Sequence, residues 1–271
     1  LDLMLKHLLI FFIIVSAATA QPTDSKLLKE ILENLIPVFS NIFSEPDQYK
    51  LQIIYTQVNR DRNNVPELAT HTYRLKPREY FYPASTIKIP IAVLAMEKLN
   101  SIENIDRDTP LNILTEMPGL DGILEDKTSR TGLPSIAHYI HKLFVVSDND
   151  ASNRLFEFLR RDYLNQRLWD LGYTETRIRQ RLGISLSEKQ NRYTSSFRFF
   201  HDGSIIYEQP SQKAEIDLNV NYNDYLIGKA HMKSGKRVEQ PFDFSKKNFM
   251  NLIEQHNFLI QVMFPETAPD Y

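Results

Sequence analysis

The chain has 271 residues, of which 42% are hydrophobic and 24% are charged, and its formal net charge is −2. A globular chain of this length can form one large domain or two smaller lobes that share a core. The near-neutral balance gives no basic surplus of the kind that nucleic acid binding requires, so we expect no nucleic acid partner. The sequence contains no cysteine, which excludes disulfides, thiolate metal sites and cysteine nucleophiles.

The first twenty residues have the pattern of a secretory signal peptide. Lys6 and His7 precede an apolar run at positions 8–15, and small residues at positions 18 and 20 form an A-x-A cleavage site before Gln21. The apolar run is too short to span a bilayer comfortably. We therefore predict export across the inner membrane to the periplasm, with no stable membrane span after removal of residues 1–20. An uncleaved N-terminal anchor is the alternative.

The mature part, residues 21–271, is predicted to begin with an amphipathic helix that Pro37 ends or kinks. Two strands are predicted next, at positions 51–58 and 70–75, with a polar turn between them. The predicted buried stripe of the helix consists of Leu27, Leu28, Ile31, Leu32, Leu35 and Ile36.

The second predicted helix carries the first chemically informative pair of residues. Ser85 follows a Pro-Ala step at the start of an apolar segment that extends to Asn100, and Lys88 lies about one turn later on the same face. A serine hydroxyl is a poor nucleophile until a base takes its proton, and a lysine in a dry pocket can be that base. The helix start also favours a developing negative charge. The alternative is a helix N-cap followed by a surface lysine.

A second informative stretch follows a loop-rich region at positions 102–130. A helix that starts near Ser135 is predicted to lead into the polar turn Ser147-Asp148-Asn149, and Asp150 or Ser152 is predicted to cap the helix after it. Alone, this pattern is typical of an ordinary interhelical turn. The first helix is predicted to bury Ile136, Ile140, Leu143 and Phe144, and the second Leu155, Phe156 and Leu159.

Taken together, the two stretches resemble the penicillin-recognising serine enzymes, which are the class A β-lactamases and the penicillin-binding proteins. These enzymes combine Ser-x-x-Lys with Ser-Asp-Asn, here Ser85 to Lys88 and Ser147 to Asn149, and the two serines lie about sixty residues apart in class A. Residues 168–176 are similar to the leucine-glycine segment before the Ω-loop of class A enzymes. Class D enzymes share the first motif but have Ser-x-Val as the second, so the second motif favours class A or the penicillin-binding proteins.

The resemblance implies an α/β (α+β) fold of the β-lactamase/transpeptidase type, with an antiparallel sheet flanked by helices, an all-helical lobe and the site between them. It implies that Ser85 is the acylated nucleophile and that Lys88 is its proton acceptor or relay. It further implies that Ser147 passes the proton to the leaving nitrogen and that Asn149 holds the amide side chain of the substrate. Asp148 is expected to brace the turn, and the Ser85 N–H to supply half of the oxyanion hole. The resemblance implies no metal and no cofactor.

Two further family features have imperfect matches. Class A enzymes use an Ω-loop glutamate to activate the deacylating water, usually with an asparagine four residues later. Glu188 is the nearest match, with Asn191 three residues later, and a solvated loop carboxylate is the alternative. Lys233-Ser234-Gly235 has the letters of the third motif, Lys-Thr/Ser-Gly, but its surroundings predict a hairpin with a Ser-Gly turn.

We therefore expect the true third motif and the closing strands to lie outside this sequence, so that the domain is incomplete at its C-terminus. Residues 192–244 are then a predicted insertion that contains a hairpin with its turn at Asp202-Gly203. A helix is predicted from about Asn248 to Met263. His138 and His141 share a helix face, but no nearby acidic pattern completes a zinc site there.

The sequence thus predicts an exported, class A-like serine hydrolase that opens β-lactam rings through a Ser85 acyl-enzyme. One alternative is a penicillin-binding or peptidase-like enzyme that acts on cell-wall peptides, and the speed of deacylation separates the two. A catalytically inactive binding domain of the same fold is the other alternative. The expected partner is a small β-lactam or a cell-wall peptide, and the sequence makes no prediction of the oligomeric state.

Overall fold

The structure is a computed structural model that describes residues 23–219 and 225–267. The predicted signal peptide lies outside these residues. The described chain divides into two compact units, the first made of residues 23–56 and 70–76, and the second of 57–69, 77–219 and 225–267. Within the described residues, no helix has both the length and the apolar character needed to cross a membrane.

The first unit contains two short helices and the base of a hairpin. The Ser25 N–H donates to the Thr72 carbonyl at 2.8 Å, which joins the start of the first helix to the second strand. The predicted helix is shorter than expected, because it ends at Glu33 before Pro37 is reached, and only Leu28 and Leu32 of its predicted stripe are buried. The elements are α1 (Lys26–Glu33), α2 (Ser40–Ser44), β1 (Ile53–Arg60) and β2 (Pro66–Tyr73), and the two strands pair with each other.

The second unit contains the helices that carry both motifs. A 3₁₀ turn, Ala84–Ile87, leads directly into α3. The helices are α3 (Lys88–Asn100), α4 (Ile136–Val146), α5 (Asn149–Leu159), α6 (Arg161–Asp170), α7 (Glu188–Asn191) and α8 (Leu252–Met263).

The strands of the second unit are short and antiparallel. β3 (Leu111–Leu114), β5 (Ser196–His201) and β6 (Ser204–Gln209) form a three-stranded sheet in the order β3-β5-β6. Asp202 and Gly203 have positive φ values, as the predicted turn between β5 and β6 requires. The other strands form two-stranded pairs: β4 (Tyr193–Thr194) with β7 (Gln212–Lys213), β8 (Leu226–Ile227) with β11 (Phe242–Asp243), and β9 (His231–Lys233) with β10 (Lys236–Val238).

The core of the second unit surrounds α5, in which every residue from Ala151 to Leu159 is buried. The predicted burial of Leu155, Phe156 and Leu159 is confirmed. Neighbouring helices α3 and α4 present Leu94, Leu99 and Leu143 to this core. A close-packed interior tolerates little change in volume, even that of one methylene. A helix buried on all sides therefore fixes the positions of the helices that pack against it. Mixed helices and antiparallel sheets confirm the predicted α/β (α+β) class.

Two helix predictions need correction. Phe144 was expected on the buried side of α4, but its relative exposure is 56%, because the last turn of this helix faces an open groove lined also by Val145 and Val146. The C-terminal helix was expected from about Asn248, but α8 starts at Leu252 with Asn251 as its N-cap. The Asn248 side chain instead bonds the backbone around Arg179.

Candidate active site

The first motif lies where a 3₁₀ turn becomes an α-helix. Ser85 is exposed on this turn, and neither its hydroxyl nor its backbone N–H is hydrogen-bonded to another described residue. The preceding residue, Ala84, has a φ of +46°, a left-handed conformation that is costly for a residue with a Cβ. Such local strain next to an exposed serine is typical of positions where the surrounding structure holds a functional group in place.

The second motif forms the sharp connection between α4 and α5. Ser147 ends α4 with φ +53° and ψ +40°, so it too has the left-handed conformation. Asp148 caps α5 by accepting a hydrogen bond from the Ala151 N–H at 2.9 Å. The cap is therefore Asp148 rather than the predicted Asp150 or Ser152, and it braces the turn in the expected manner. Asn149 is the first residue of α5 and is exposed.

Lys88 joins the two motifs. Its side-chain amine contacts three oxygens of the second motif: the Ser147 carbonyl, the Ser147 hydroxyl at 3.0 Å and Asn149 Oδ1 at 2.8 Å. The carbonyl and amide oxygens can only accept, whereas the hydroxyl can accept or donate. A charged Lys88 can donate to all three, and a neutral Lys88 can donate to two and accept the Ser147 hydroxyl proton. The arrangement therefore fits both protonation states, as a proton relay requires.

Burial favours the neutral form of the Lys88 amine. Lys88 is 3% exposed, and burial lowers its pKa below the usual lysine value, while the Asp148 carboxylate opposes part of that change. Lys142 limits the opposing charge, because its amine lies 3.7 Å from Asp148 and 3.4 Å from Asp126. The result is a lysine poised to lose a proton more readily than one in water.

The structure brings Ser147, Asn149 and Lys88 into direct contact, and it places Ser85 one turn before Lys88 on the same segment. No hydrogen bond joins the Ser85 hydroxyl to the Lys88 amine among the described contacts. Contacts that transfer protons often tighten only when substrate binds. A polar, exposed hydroxyl beside a buried amine that bonds a second hydroxyl suits acyl transfer by a serine nucleophile.

A sequence model of the β-lactamase enzyme family matches residues 39–213, which is well over half of the chain and includes both motifs. The chain belongs to the β-lactamase enzyme family. The resemblance inferred from the two motifs is confirmed at this level, and it makes the protein a β-lactamase-like hydrolase. No curated protein matches the chain.

In this β-lactamase-like hydrolase, the loop after α6 lies against the second motif. The Asn153 side chain bonds both backbone groups of Leu182, accepting from its N–H at 2.7 Å and donating to its carbonyl at 2.9 Å. The next residue, Gly183, has φ +70° and lies so close to Asn149 that an added Cβ would be 2.6 Å from the amide nitrogen. The site therefore has a loop wall that only glycine fits without displacing Asn149.

A buried ion pair holds the same loop one residue earlier. Arg181 Nε lies 3.0 Å from a Glu157 carboxylate oxygen, and both side chains are fully buried. The second carboxylate oxygen accepts from the Ser195 N–H at 2.9 Å, and Arg181 Nη2 donates to the Tyr193 carbonyl at 2.7 Å. These bonds compensate much of the desolvation of the two charges. They tie the loop, α5 and the strands after α7 into one frame.

Glu188, the candidate deacylating base, lies in a different network. Glu188 is the first residue of α7. Its carboxylate lies 2.8 Å from the buried Arg161 guanidinium and 3.5 Å from the Arg192 guanidinium. Neither guanidinium can act as a proton acceptor, so both contacts of Glu188 are ion pairs rather than a route for a proton. Residues 177–187 of the loop contain no aspartate or glutamate. The loop wall beside Asn149 therefore consists of Leu182 and Gly183 rather than of a carboxylate.

The Lys233-Ser234-Gly235 sequence forms a tight turn. Lys233 pairs with Lys236 across the β9–β10 hairpin, and Ser234 and Gly235 have φ values of +51° and +76°, as the predicted Ser-Gly turn requires. All three residues are exposed. In the described part of the chain, β9 pairs with β10 alone, and the family match ends at residue 213, before this hairpin.

Of the two histidines of α4, His138 belongs to a charge network with Asp126. His138 Nε2 lies 3.0 Å from Asp126, and His141 is exposed. Burial alone would raise the pKa of Asp126, but hydrogen bonds from Thr128 and His138 and the charge of Lys142 lower it to about 2. Among the described residues, no group of three or more metal-binding side chains comes together.

Sequence reasoning did not identify Asn153, Glu157 and Gly183 as supports of the site. A signal for the first two exists in α5, where Asn149, Asn153 and Glu157 recur every four residues and so lie on one face. Polar residues at helical spacing on a face that also carries buried apolar residues indicate buried hydrogen bonding. For Gly183 the sequence offers no signal, because the close approach depends on the path of the loop.

Proposed function

We propose that this β-lactamase-like hydrolase opens the amide of a cyclic or cell-wall-derived acyl donor through a covalent ester on Ser85. The observation that carries the proposal is the position of the Lys88 amine. It is buried one turn after Ser85 and in contact with both the Ser147 hydroxyl and Asn149 Oδ1. A buried amine that lies one turn after a nucleophile and bonds a second hydroxyl supplies both the base and the proton route that acyl transfer needs.

In the proposed reaction, Ser85 Oγ attacks the carbonyl carbon of the amide while the hydroxyl proton passes to Lys88. The Ser85 N–H, which has no acceptor among the described residues, stabilises the oxyanion that forms. The C–N bond then breaks, and the nitrogen takes a proton from the Ser147 hydroxyl, which Lys88 reprotonates. A β-lactam leaves its whole mass on Ser85, because both products of ring opening stay in one molecule. The exposed Asn149 amide orients the side chain of the substrate.

Hydrolysis of the ester on Ser85 is the second step of the reaction. The structure around it favours the penicillin-binding or peptidase-like alternative over a class A-like β-lactamase. Hydrolysis of the ester needs an activated water, but Glu188 is paired with Arg161, and the loop wall beside Asn149 has no carboxylate. These observations support a long-lived acyl-enzyme, as in a penicillin-binding or peptidase-like enzyme. A class A-like β-lactamase with fast hydrolysis requires a base from another position.

We also propose that the protein is exported and that residues 1–20 are its cleaved signal peptide. The A-x-A site before Gln21 supports this. Expression in a Gram-negative host, followed by mass determination of the periplasmic protein, should give a chain that begins at Gln21. Retention of the full N-terminus in the membrane fraction would favour the uncleaved anchor.

The activity is tested by intact mass against time after the purified protein is mixed with a penicillin. The wild-type protein should gain the mass of one penicillin, and Ser85→Ala should not. Ser234→Ala is the matched control, because it removes an exposed hydroxyl from the hairpin turn, and it should acylate like the wild type. An adduct that stays indicates a penicillin-binding enzyme, and one that clears as drug is consumed indicates a β-lactamase. A folded protein that gains no mass and leaves the penicillin intact would refute the catalytic proposal and favour the inactive binding domain.

A further inference from the structure

The turn that carries the second motif is flanked by a partly buried chain of charged side chains. Lys142 on α4 contacts two carboxylates, because its amine lies 3.7 Å from Asp148 and 3.4 Å from Asp126. His138 Nε2 lies 3.0 Å from Asp126. The exposed fractions of these four side chains lie between 12% and 25%. Ion pairs that are partly buried are screened by salt less than exposed pairs.

Asp126 fixes the far end of this chain of charges. Its carboxylate accepts hydrogen bonds from the Thr128 N–H at 2.9 Å and from the Thr128 hydroxyl at 2.5 Å. Burial raises the pKa of this carboxyl, but the Thr128 and His138 bonds and the Lys142 charge lower it to about 2. Asp126 is therefore ionised at neutral pH, and it helps to hold the Lys142 amine between two carboxylates.

Asp148 is the end of the chain that faces Lys88. The Lys88 amine contacts the residues on both sides of Asp148, with Ser147 Oγ at 3.0 Å and Asn149 Oδ1 at 2.8 Å. Burial lowers the pKa of Lys88, and among the described residues Asp148 is the charged group that raises it. An uncompensated Asp148 would favour the charged amine, which cannot accept a proton. Lys142 is the described cation that pairs with Asp148, so its charge offsets this effect.

The backbone of Lys142 has a separate, structural role. Its carbonyl accepts from the N–H of Ser147 and, at 3.4 Å, from the N–H of Asp148. These bonds close the end of α4 and do not involve the Lys142 side chain. A substitution at position 142 can therefore remove the charge while the turn keeps its backbone bonds.

We propose that Lys142 is a positioning residue for acylation, which acts through Asp148: its charge offsets that carboxylate and so leaves the Lys88 amine free to accept the Ser85 proton. The catalytic part of this inference rests on the proposed function, but the effect on Lys88 can be measured without a substrate. Removal of the Lys142 charge should raise the midpoint of the Lys88 titration by about 0.5 to 1 pH unit. Acylation should then be about three- to tenfold slower below the midpoint and unchanged well above it.

The first test is an NMR titration of Lys88 in protein that contains isotope-labelled lysine, with the Lys88 signal identified by its loss in Lys88→Met. The midpoint should rise in Lys142→Gln and stay in Lys142→Arg, which keeps the charge. The matched control is Lys127→Gln, because Lys127 is exposed, follows Asp126 in the chain and has no described ion pair. Lys98 is an internal control, since it lies in the last turn of α3, and its midpoint should not move.

A double-mutant cycle identifies the route of the effect. In an Asp148→Asn background, in which asparagine can still cap α5, Lys142→Gln should raise the Lys88 midpoint by less than half as much. Equal midpoints in the wild type and Lys142→Gln would overturn the proposal. The same rise in Lys127→Gln, or an undiminished rise in the Asp148→Asn background, would also overturn it.

The second test is the pH profile of acylation by a fluorescent penicillin. In Lys142→Gln the profile should move to higher pH together with the Lys88 midpoint. A rate that falls by the same factor at every pH would show a merely structural role and overturn the proposal. A wild-type protein that is not acylated at any pH would refute the proposed function instead, because the Lys88 titration does not depend on acylation.

Discussion

Replacement of Gly183 by alanine should displace Asn149 from the site. The added Cβ would lie 2.6 Å from Asn149 Nδ2 and 3.3 Å from its Cβ and Cγ, so the amide end of this side chain must move. Loss of its bond to the Lys88 amine costs about 1.5–3 kcal/mol if the amine is charged. The φ of +70° adds about 1–2 kcal/mol, partly offset by about 0.4–1 kcal/mol from the stiffer unfolded chain. We expect a net loss of about 2–4 kcal/mol in the free energy of unfolding.

The same displacement should slow acylation by roughly one hundredfold, since each 1.4 kcal/mol of lost transition-state stabilisation is about tenfold in rate. The assay is the rate of adduct formation with a fluorescent penicillin. The control is Gly203→Ala, because Gly203 has φ +78° and no atom within 4 Å of an added Cβ. It imposes similar strain without a clash and should acylate normally. Equal acylation rates of the two variants would refute the reasoning.

Three further predictions concern the frame around the site. Glu157→Leu should destabilise the protein by about 3–5 kcal/mol, because it leaves the Arg181 charge buried without a partner, and the Glu157→Leu/Arg181→Met double variant should recover most of this in urea denaturation. Asn153→Ala should release Leu182, so that acylation becomes slower while the melting temperature falls little. The rate of adduct formation and a thermal melt of the same variant measure the two effects. Lys98→Met should abolish a rise in stability with pH. Burial lowers the pKa of Lys98 to about 7, so the unfolded chain, with its usual value of 10.5, binds more protons between these values and stability increases with pH.

Each of these has a result that would contradict it. If Glu157→Leu costs no more than Glu208→Ala, which breaks the exposed pair with Arg198 and should cost at most about 1 kcal/mol, the buried pair is not structural. If Asn153→Ala acylates at the wild-type rate, the loop path does not depend on that side chain. If Lys98→Met and the wild type show parallel stability between pH 7 and 9, the lysine is not titrating there.

The sequence predicted the local parts of the site well. Ser85 one turn before Lys88, and Ser147 between two helices, follow from periodicity and capping, which act within a few residues. The α/β (α+β) class and the family followed from the two motifs together and are confirmed. The resemblance gave Lys88 and Ser147 their roles, but their direct contact was not predicted, because no local rule joins residues so far apart in the chain.

Long-range contacts explain what the sequence did not predict. The Asn153 bonds to Leu182 and the close approach of Gly183 to Asn149 link residues from different elements, so their partners cannot be read from spacing. Phe144 was placed in the core because it lies four residues after Ile140, but periodicity identifies a face and not what covers it. The helix α8 starts later than predicted because the Asn248 side chain bonds the backbone around Arg179 instead.

The two α5 side chains that fasten the loop have a consequence for evolution. Asn153 holds Leu182 through its backbone, and Glu157 holds Arg181, so the path of the loop is encoded mainly in the helix beneath it. The next three residues, 183–185, are exposed, and among the described contacts positions 184 and 185 have no hydrogen bond to that helix. Substitutions at these two positions can change the charge and shape of the loop next to Gly183, which approaches Asn149, while the loop keeps its course. A family member built this way can acquire a new substrate, or a new carboxylate, without first rebuilding its fold.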